Sequence, residues 1–146
     1  MPLSYRIEYD IADFIKSHGS KDLSLYMLDD HLVYWLLDRY APTPLVTFPP
    51  NVSASFLRKI VEPDSDTTED ALRSVFRRNP CFVVGPPNPP YLDAASIRFL
   101  QQEMTTNYAV VGHIGSMQVY RRIARVRAGA SALERNGPMA VRYCCE

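Results

Sequence analysis

Three short apolar runs, at residues 23–28, 45–48 and 81–84, each stop at a chain breaker and are separated by stretches of helical periodicity. Runs of this length between turn residues read as strands. Segments with apolar residues at i, i+3, i+4 and i+7 read as helices. Ile7, Ile11, Phe14 and Ile15 fall on one helical face, which Gly19-Ser20 ends. A short helix over 31–38 follows the first strand, with Asp30 as its N-cap. The next helix carries Phe56, Leu57, Ile60 and Val61, and another carries Leu72, Val75 and Phe76 behind a Thr67 or Thr68 cap. A helix over 92–106 turns Ile97, Leu100 and Met104 to the core, and strands at 108–112 and 117–122 flank the turn Ile114-Gly115-Ser116.

Strands joined through helices need crossovers. The order therefore predicts an α/β fold: three layers, a mostly parallel central sheet of four to six strands, helices on both faces, and a C-terminal antiparallel hairpin. A single domain is expected over residues 1–124, and a weakly packed tail over 125–146. The chain length of 146 residues suits one core and not two. Sixteen basic and sixteen acidic residues cancel, which argues against a nucleic-acid partner held by bulk charge. Apolar residues at 47% argue against disorder. The 12 prolines exceed the usual share, and six residues, Gly85-Pro86-Pro87-Asn88-Pro89-Pro90, form a loop that neither helix nor ladder can absorb.

Three cysteines, two of them the neighbours Cys144 and Cys145, make no dense disulfide framework and no zinc-type spacing. Cys81 reads as a small buried hydrophobe within its strand. No apolar stretch approaches the ~20 residues of a membrane-spanning helix, and the opening residues lack the apolar core of a signal peptide. A soluble chain is expected, delivered by something upstream if it works outside the cytoplasm.

Few residues carry a chemical signal. Asp29, Asp30 and His31 follow the first strand, where open α/β sheets place ligands. They read either as a metal or acid/base cluster or as a helix cap beside a solvated carboxylate. His113 near the hairpin turn reads as a catalyst or as a turn residue, and His18 as a helix C-terminal residue favoured by the dipole. Arg77-Arg78 and Arg121-Arg122 read as solvated charge or as a surface for an acidic partner. Tyr34, Trp35 and Tyr40 read as core first, with any exposed remainder left for a partner or a membrane interface. No nucleophile elbow, dinucleotide fingerprint or P-loop is present. No catalytic residue, metal or cofactor is expected. The loops at 29–31, 49–51 and 85–87 are expected to converge at the strand carboxyl ends.

One longer pattern stands out. It begins with the amphipathic opening at residues 10–16. It continues through Val33-Tyr34-Trp35-Leu36-Leu37-Asp38-Arg39-Tyr40-Ala41-Pro42-Thr43-Pro44 and Leu45-Val46-Thr47-Phe48-Pro49. It then reaches Asn79-Pro80-Cys81-Phe82-Val83-Val84, Asn107-Tyr108 and Val119-Tyr120-Arg121-Arg122. In this order the pieces resemble the soluble extracytoplasmic domain of GT-C-type membrane glycosyltransferases. These are the polyprenol-phosphate-sugar enzymes related to protein mannosyltransferases and aminoarabinose transferases. The resemblance spans about residues 7–123, and 33–49 is its most specific piece. The chain departs from the pattern at Leu45, where arginine is common, and at Cys81-Phe82, where Asp-Tyr is common.

In that family the catalytic carboxylate lies in the membrane part. The resemblance therefore implies an accessory domain that covers or scaffolds the transfer site at the extracytoplasmic face, without activity alone. Its partners would be the membrane-embedded part of the same enzyme or a partner membrane protein, with a polyprenol-phosphate sugar or glycan acceptor as ligand. The binding candidates are Asp29, Asp30, His31, Tyr34 and Arg39, with the turn at 42–44. For Arg39 the other reading is a pairing with Asp38 or with helix-end carbonyls. The alternative for the chain as a whole is a free-standing α/β module, cytoplasmic and soluble, that binds a small ligand or a protein.

Overall fold

The structure is a computed structural model that describes residues 6–19, 23–43, 53–124 and 143. The described elements are α1 (Arg6–His18), β1 (Leu25–Met27), α2 (Leu32–Leu37), α3 (Ser55–Val61) and α4 (Thr68–Arg77). They continue with β2 (Phe82–Gly85), α5 (Ala94–Asn107), β3 (Tyr108–Ile114) and β4 (Met117–Arg122). The strand expected at 45–48, the loop at 49–51 and most of the tail from residue 125 lie outside the described residues. No described helix is long and apolar enough to cross a membrane.

The fold is mixed α/β with a four-stranded mixed sheet in the order β1-β2-β4-β3. The expectation of a mostly parallel sheet is corrected. Only β1 and β2 pair in parallel, while β2–β4 and β3–β4 are antiparallel. The strand directions explain the difference. β1, β2 and β3 run the same way, as helical crossovers require. β4 returns through a tight turn and slots between β2 and β3, so it converts what would be a parallel neighbour into two antiparallel ones. Gly115, at φ 59°, opens that turn, and no positive φ follows at Ser116. A positive φ at the first loop position alone is the type II′ pattern, whose twist matches the strands it joins.

Two cores lie on opposite sides of the sheet. Tyr26 and Val83 point to the side where Ala71, Leu72, Val75 and Phe76 of α4 meet Phe99, Leu100 and Met104 of α5. Leu25, Met27, Phe82 and Val84 point to the side covered by Ile11, Ala12 and Ile15 of α1 and by Val33 and Tyr34 of α2. Phe76 makes edge contacts with Tyr26, Phe99 and Tyr108 at ring separations of 5.8–6.0 Å. That is the favoured geometry for aromatic rings.

Local signals set the helix ends. Thr67 and Asp70 form a reciprocal capping box at α4, and the Asp93 carboxylate accepts from Ser96 N–H at 2.8 Å at the start of α5. His18 closes α1, its Nδ1 2.9 Å from the Phe14 carbonyl and its ring stacked on that of Phe14. α3 departs from the expected apolar packing. Leu57 packs on the core, but Phe56 and Ile60 are exposed, and the fully turned-in side chain is Arg58. Its Nη1 donates to Thr68 Oγ1 at 3.2 Å and its Nη2 to the Asp66 carbonyl at 3.4 Å.

Cys81 is buried, as expected, but it is also disulfide-bonded. Cys144 and Cys145 lie outside the described residues. Nearby, Tyr143 bridges to Ile123, and Arg121 lies over the rings of both Phe82 and Tyr143, at 5.5 and 4.8 Å. Trypsin acting without reductant is expected to release residues 79–98 in disulfide linkage to a second peptide, which reductant frees. Reduction should lower stability by about 2–5 kcal/mol in chemical unfolding, and Cys81→Ser should abolish that sensitivity to reductant.

Candidate functional site

The sheet brings the ends of β1 and β2 together. Leu28 N–H donates to the Val84 carbonyl at 2.7 Å, extending the parallel ladder one residue past β1. A Cβ on Gly85 would stand 2.3 Å from the Leu28 Cβ, so the two strands leave the sheet closer than any side chain permits. The Tyr91 hydroxyl donates to the Leu28 carbonyl and ties the proline loop to the same point. The loops at 29–31 and 85–87 therefore lie side by side, as the strand-end argument requires. The third, at 49–51, is outside the described residues.

From this end, α2 carries a pocket of about 350 Å³ lined by His31, Tyr34, Trp35, Asp38, Arg39, Tyr40 and Ala41. The helix is six residues long and stops because Asp38 adopts the left-handed conformation, at φ 53°. Its backbone N–H closes on the Trp35 carbonyl, and Arg39 N–H closes on that of Tyr34. That tight exit folds Arg39, Tyr40 and Ala41 back beside Trp35. Trp35 is 78% exposed and Tyr40 96% exposed, so the aromatic stripe expected in the core stands largely in solvent, with Tyr34 alone buried. Among the described residues the Arg39 side chain makes no ion pair, with Asp38 or any other carboxylate.

The five candidates divide. His31, Tyr34 and Arg39 line the pocket; Asp29 and Asp30 do not. Asp30 caps: its Oδ1 accepts from Leu32 N–H at 2.8 Å, and the His31 Nδ1 lies 3.8 Å away. His31 itself occupies the N-cap position, but its side chain makes no capping bond there. Asp29 is exposed. Among the described residues, no three His, Cys, Asp or Glu side chains are grouped to hold a metal ion. His113 sits exposed in β3, in register with Gln118.

Tyr34 has a second task. Its hydroxyl accepts from Met27 N–H at 2.8 Å, on the side of β1 that faces away from β2. Burial raises its pKa well above the ordinary tyrosine value, so it stays a neutral phenol that pins α2 to the strand. Sequence reasoning did not find Glu8. This residue reaches Asp30 from the first turn of α1. Burial raises its pKa above 4.5, with the Asp30 and Asp29 charges adding to the effect. Nothing local marks that meeting, which arises from α1 packing against α2. The pocket thus combines two aromatic faces, a guanidinium with no ion-pair partner among the described residues, an imidazole and a carboxylate. This set suits a polar ligand with an apolar face better than bond-making chemistry.

Comparison with protein-family models, with curated proteins and with solved structures gave no match.

Two outcomes follow from the site geometry. Tyr34→Phe should cost about 1–3 kcal/mol of stability in denaturant unfolding, because it leaves a buried N–H without its acceptor. Glu8 binds its proton more tightly folded than unfolded, so its contribution is full below 4.5 and is lost as pH rises through the folded value. Glu8→Gln should therefore raise the melting temperature at neutral pH and leave it unchanged near pH 3.

Proposed function

We propose that this chain is the ligand-contacting accessory domain of a GT-C-type membrane glycosyltransferase, placed at the extracytoplasmic face. In this reading the α2 pocket holds a sugar or a lipid-linked sugar phosphate, and the membrane-embedded part of the enzyme makes and breaks the glycosidic bonds. The observation that carries it is the pocket's composition: exposed Trp35 and Tyr40 rings beside Arg39, which has no ion-pair partner among the described residues. The C–H face of a pyranose lies flat on an aromatic ring and releases the water held there. A guanidinium offers planar paired donors to hydroxyls or phosphate. His31 and Asp38 add one group that donates or accepts and one that accepts.

Two further points support the reading. The most specific piece of the family resemblance, residues 33–49, contains most of the pocket wall. The disulfide at Cys81 suits an oxidising compartment, where such bonds persist. The second reading, a free-standing binding module with a protein partner, draws on the exposed Phe56 and Ile60 of α3.

Trp35 is the only tryptophan in the chain, so its emission reports on the pocket directly. Titration with monosaccharides, sugar 1-phosphates and a short-chain polyprenyl-phosphate sugar is expected to change that emission saturably. Arg39→Ala and Tyr40→Ala should each weaken binding by roughly tenfold. The isolated chain should show no sugar transfer. A flat titration with every sugar probe, alongside capture of the α3 face by a protein partner, would favour the free-standing module.

A further inference from the structure

Arg77 and Arg122, far apart in sequence, line one cleft at the end of the molecule where β2 begins. The two arginine pairs noted in the sequence are split by the fold. Arg78 caps α4 through its backbone, and Arg121 lies between the rings of Phe82 and Tyr143. Arg77 and Arg122 instead share, with Arg73, a cleft of about 760 Å³ lined by one side of α4, the second half of α5 and the end of β4. Phe76 and Phe99 also line it, and the Arg73 guanidinium lies 4.4 Å from the Phe99 ring centre.

Charge in the cleft is unevenly committed. Its acids are Asp70 and Glu103. Asp70 Oδ2 accepts from the Thr67 hydroxyl at 2.8 Å and the Thr67 N–H at 3.1 Å. Those bonds hold its pKa below 3.8, so it is ionised and turned to the helix cap. Glu103 Oε2 accepts from Asn107 Nδ2 at 2.8 Å. Arg73 is engaged outside the cleft by Glu69, at 2.5 and 3.0 Å. Among the described residues neither Arg77 nor Arg122 has a carboxylate partner. The one side-chain hydrogen bond of Arg77 runs from Nε to the Arg73 carbonyl at 3.4 Å. The C-terminus of α4 draws a cation here, but the Val75 and Phe76 carbonyls already accept from Arg78 and Asn79 N–H groups. The two guanidiniums come from different elements, and among the described residues their outer donors meet no carboxylate.

We propose that this cleft binds a phosphate-bearing ligand, with Arg77 and Arg122 holding its phosphoryl oxygens from two sides. A carboxylate has two oxygens in one plane, and one guanidinium satisfies both. A phosphoryl group presents three oxygens around a tetrahedral centre and accepts two forks at once. The Phe99 face, backed by Arg73, supports the group that carries the phosphate. A free phosphate ester and a phospholipid headgroup offer the same chemistry.

The test uses the full chain at low salt with two probes, inorganic pyrophosphate and vesicles containing phosphatidic acid. Pyrophosphate is followed by NMR of the arginine Nε–H signals, and vesicles by co-sedimentation. Binding of pyrophosphate alone assigns a soluble phosphate ester. Sedimentation with the vesicles, lost on adding salt, assigns a headgroup. Arg77→Gln and Arg122→Gln should each weaken either interaction by roughly tenfold, while Arg6→Gln, at the exposed start of α1, leaves it unchanged. Circular dichroism of each variant reports whether the fold is intact. Absence of binding to both probes, or equal binding by a folded Arg77→Gln/Arg122→Gln double variant, would overturn the proposal.

Discussion

Phe82, Val83 and Val84 have no solvent-accessible surface, and the rest of the fold is arranged to keep them dry. A strand buried on both faces needs a hydrogen-bonded neighbour on each side and a layer over each face. β1 and β4 supply the neighbours. α1 and α2 cover the side of Phe82 and Val84, and α4 and α5 cover that of Val83. A change at Phe82 or Val84 is felt in one core and a change at Val83 in the other, so the strand is the element the two cores share.

The same strand organises the two ends of the molecule. At its carboxyl end, the close passage of Gly85 and Leu28 draws the first loop and the proline loop together, and α2 starts from that point with its pocket. At its amino end, Cys81 donates to the Ser24 carbonyl and hydroxyl, and its own carbonyl accepts from Arg122 N–H. The arginine cleft opens beside that junction. The two cavities lie at opposite ends of one buried strand, so a ligand in either has a rigid element between it and the other.

The sequence made local features legible and left long-range ones open. The α4 face, its Thr67 cap and the Gly115 turn are written in neighbouring residues, and all three are found. Strand order is not local. The insertion of β4 between β2 and β3 depends on which partner β2 accepts after α5, and apolar periodicity is blind to that choice. Arg58 was hidden for a similar reason, since its burial rests on Thr68 and Asp66. Within the site, Tyr34 and Arg39 were legible because a single short helix and its exit present them. Asp29 and Asp30 were grouped with them by adjacency, but adjacent side chains diverge, and Asp30 turns to a backbone N–H instead. The exposure of Trp35 and Tyr40 was not legible, because which face of α2 meets the core is set by its packing on α1 and β1 and not by its own residues.

The irregular register of β3 has a consequence for how copies of this chain meet. β3 stands at one end of the described strand order, where an unpaired row of backbone groups invites another strand to add. The pairing with β4 shifts between Val110 and Gly112, so the strand bends within its seven residues. An incoming flat strand would find at most a few consecutive groups in phase before the ladder breaks. The bulge thus works against edge-to-edge stacking in the backbone, on a strand whose Val110 side chain is exposed.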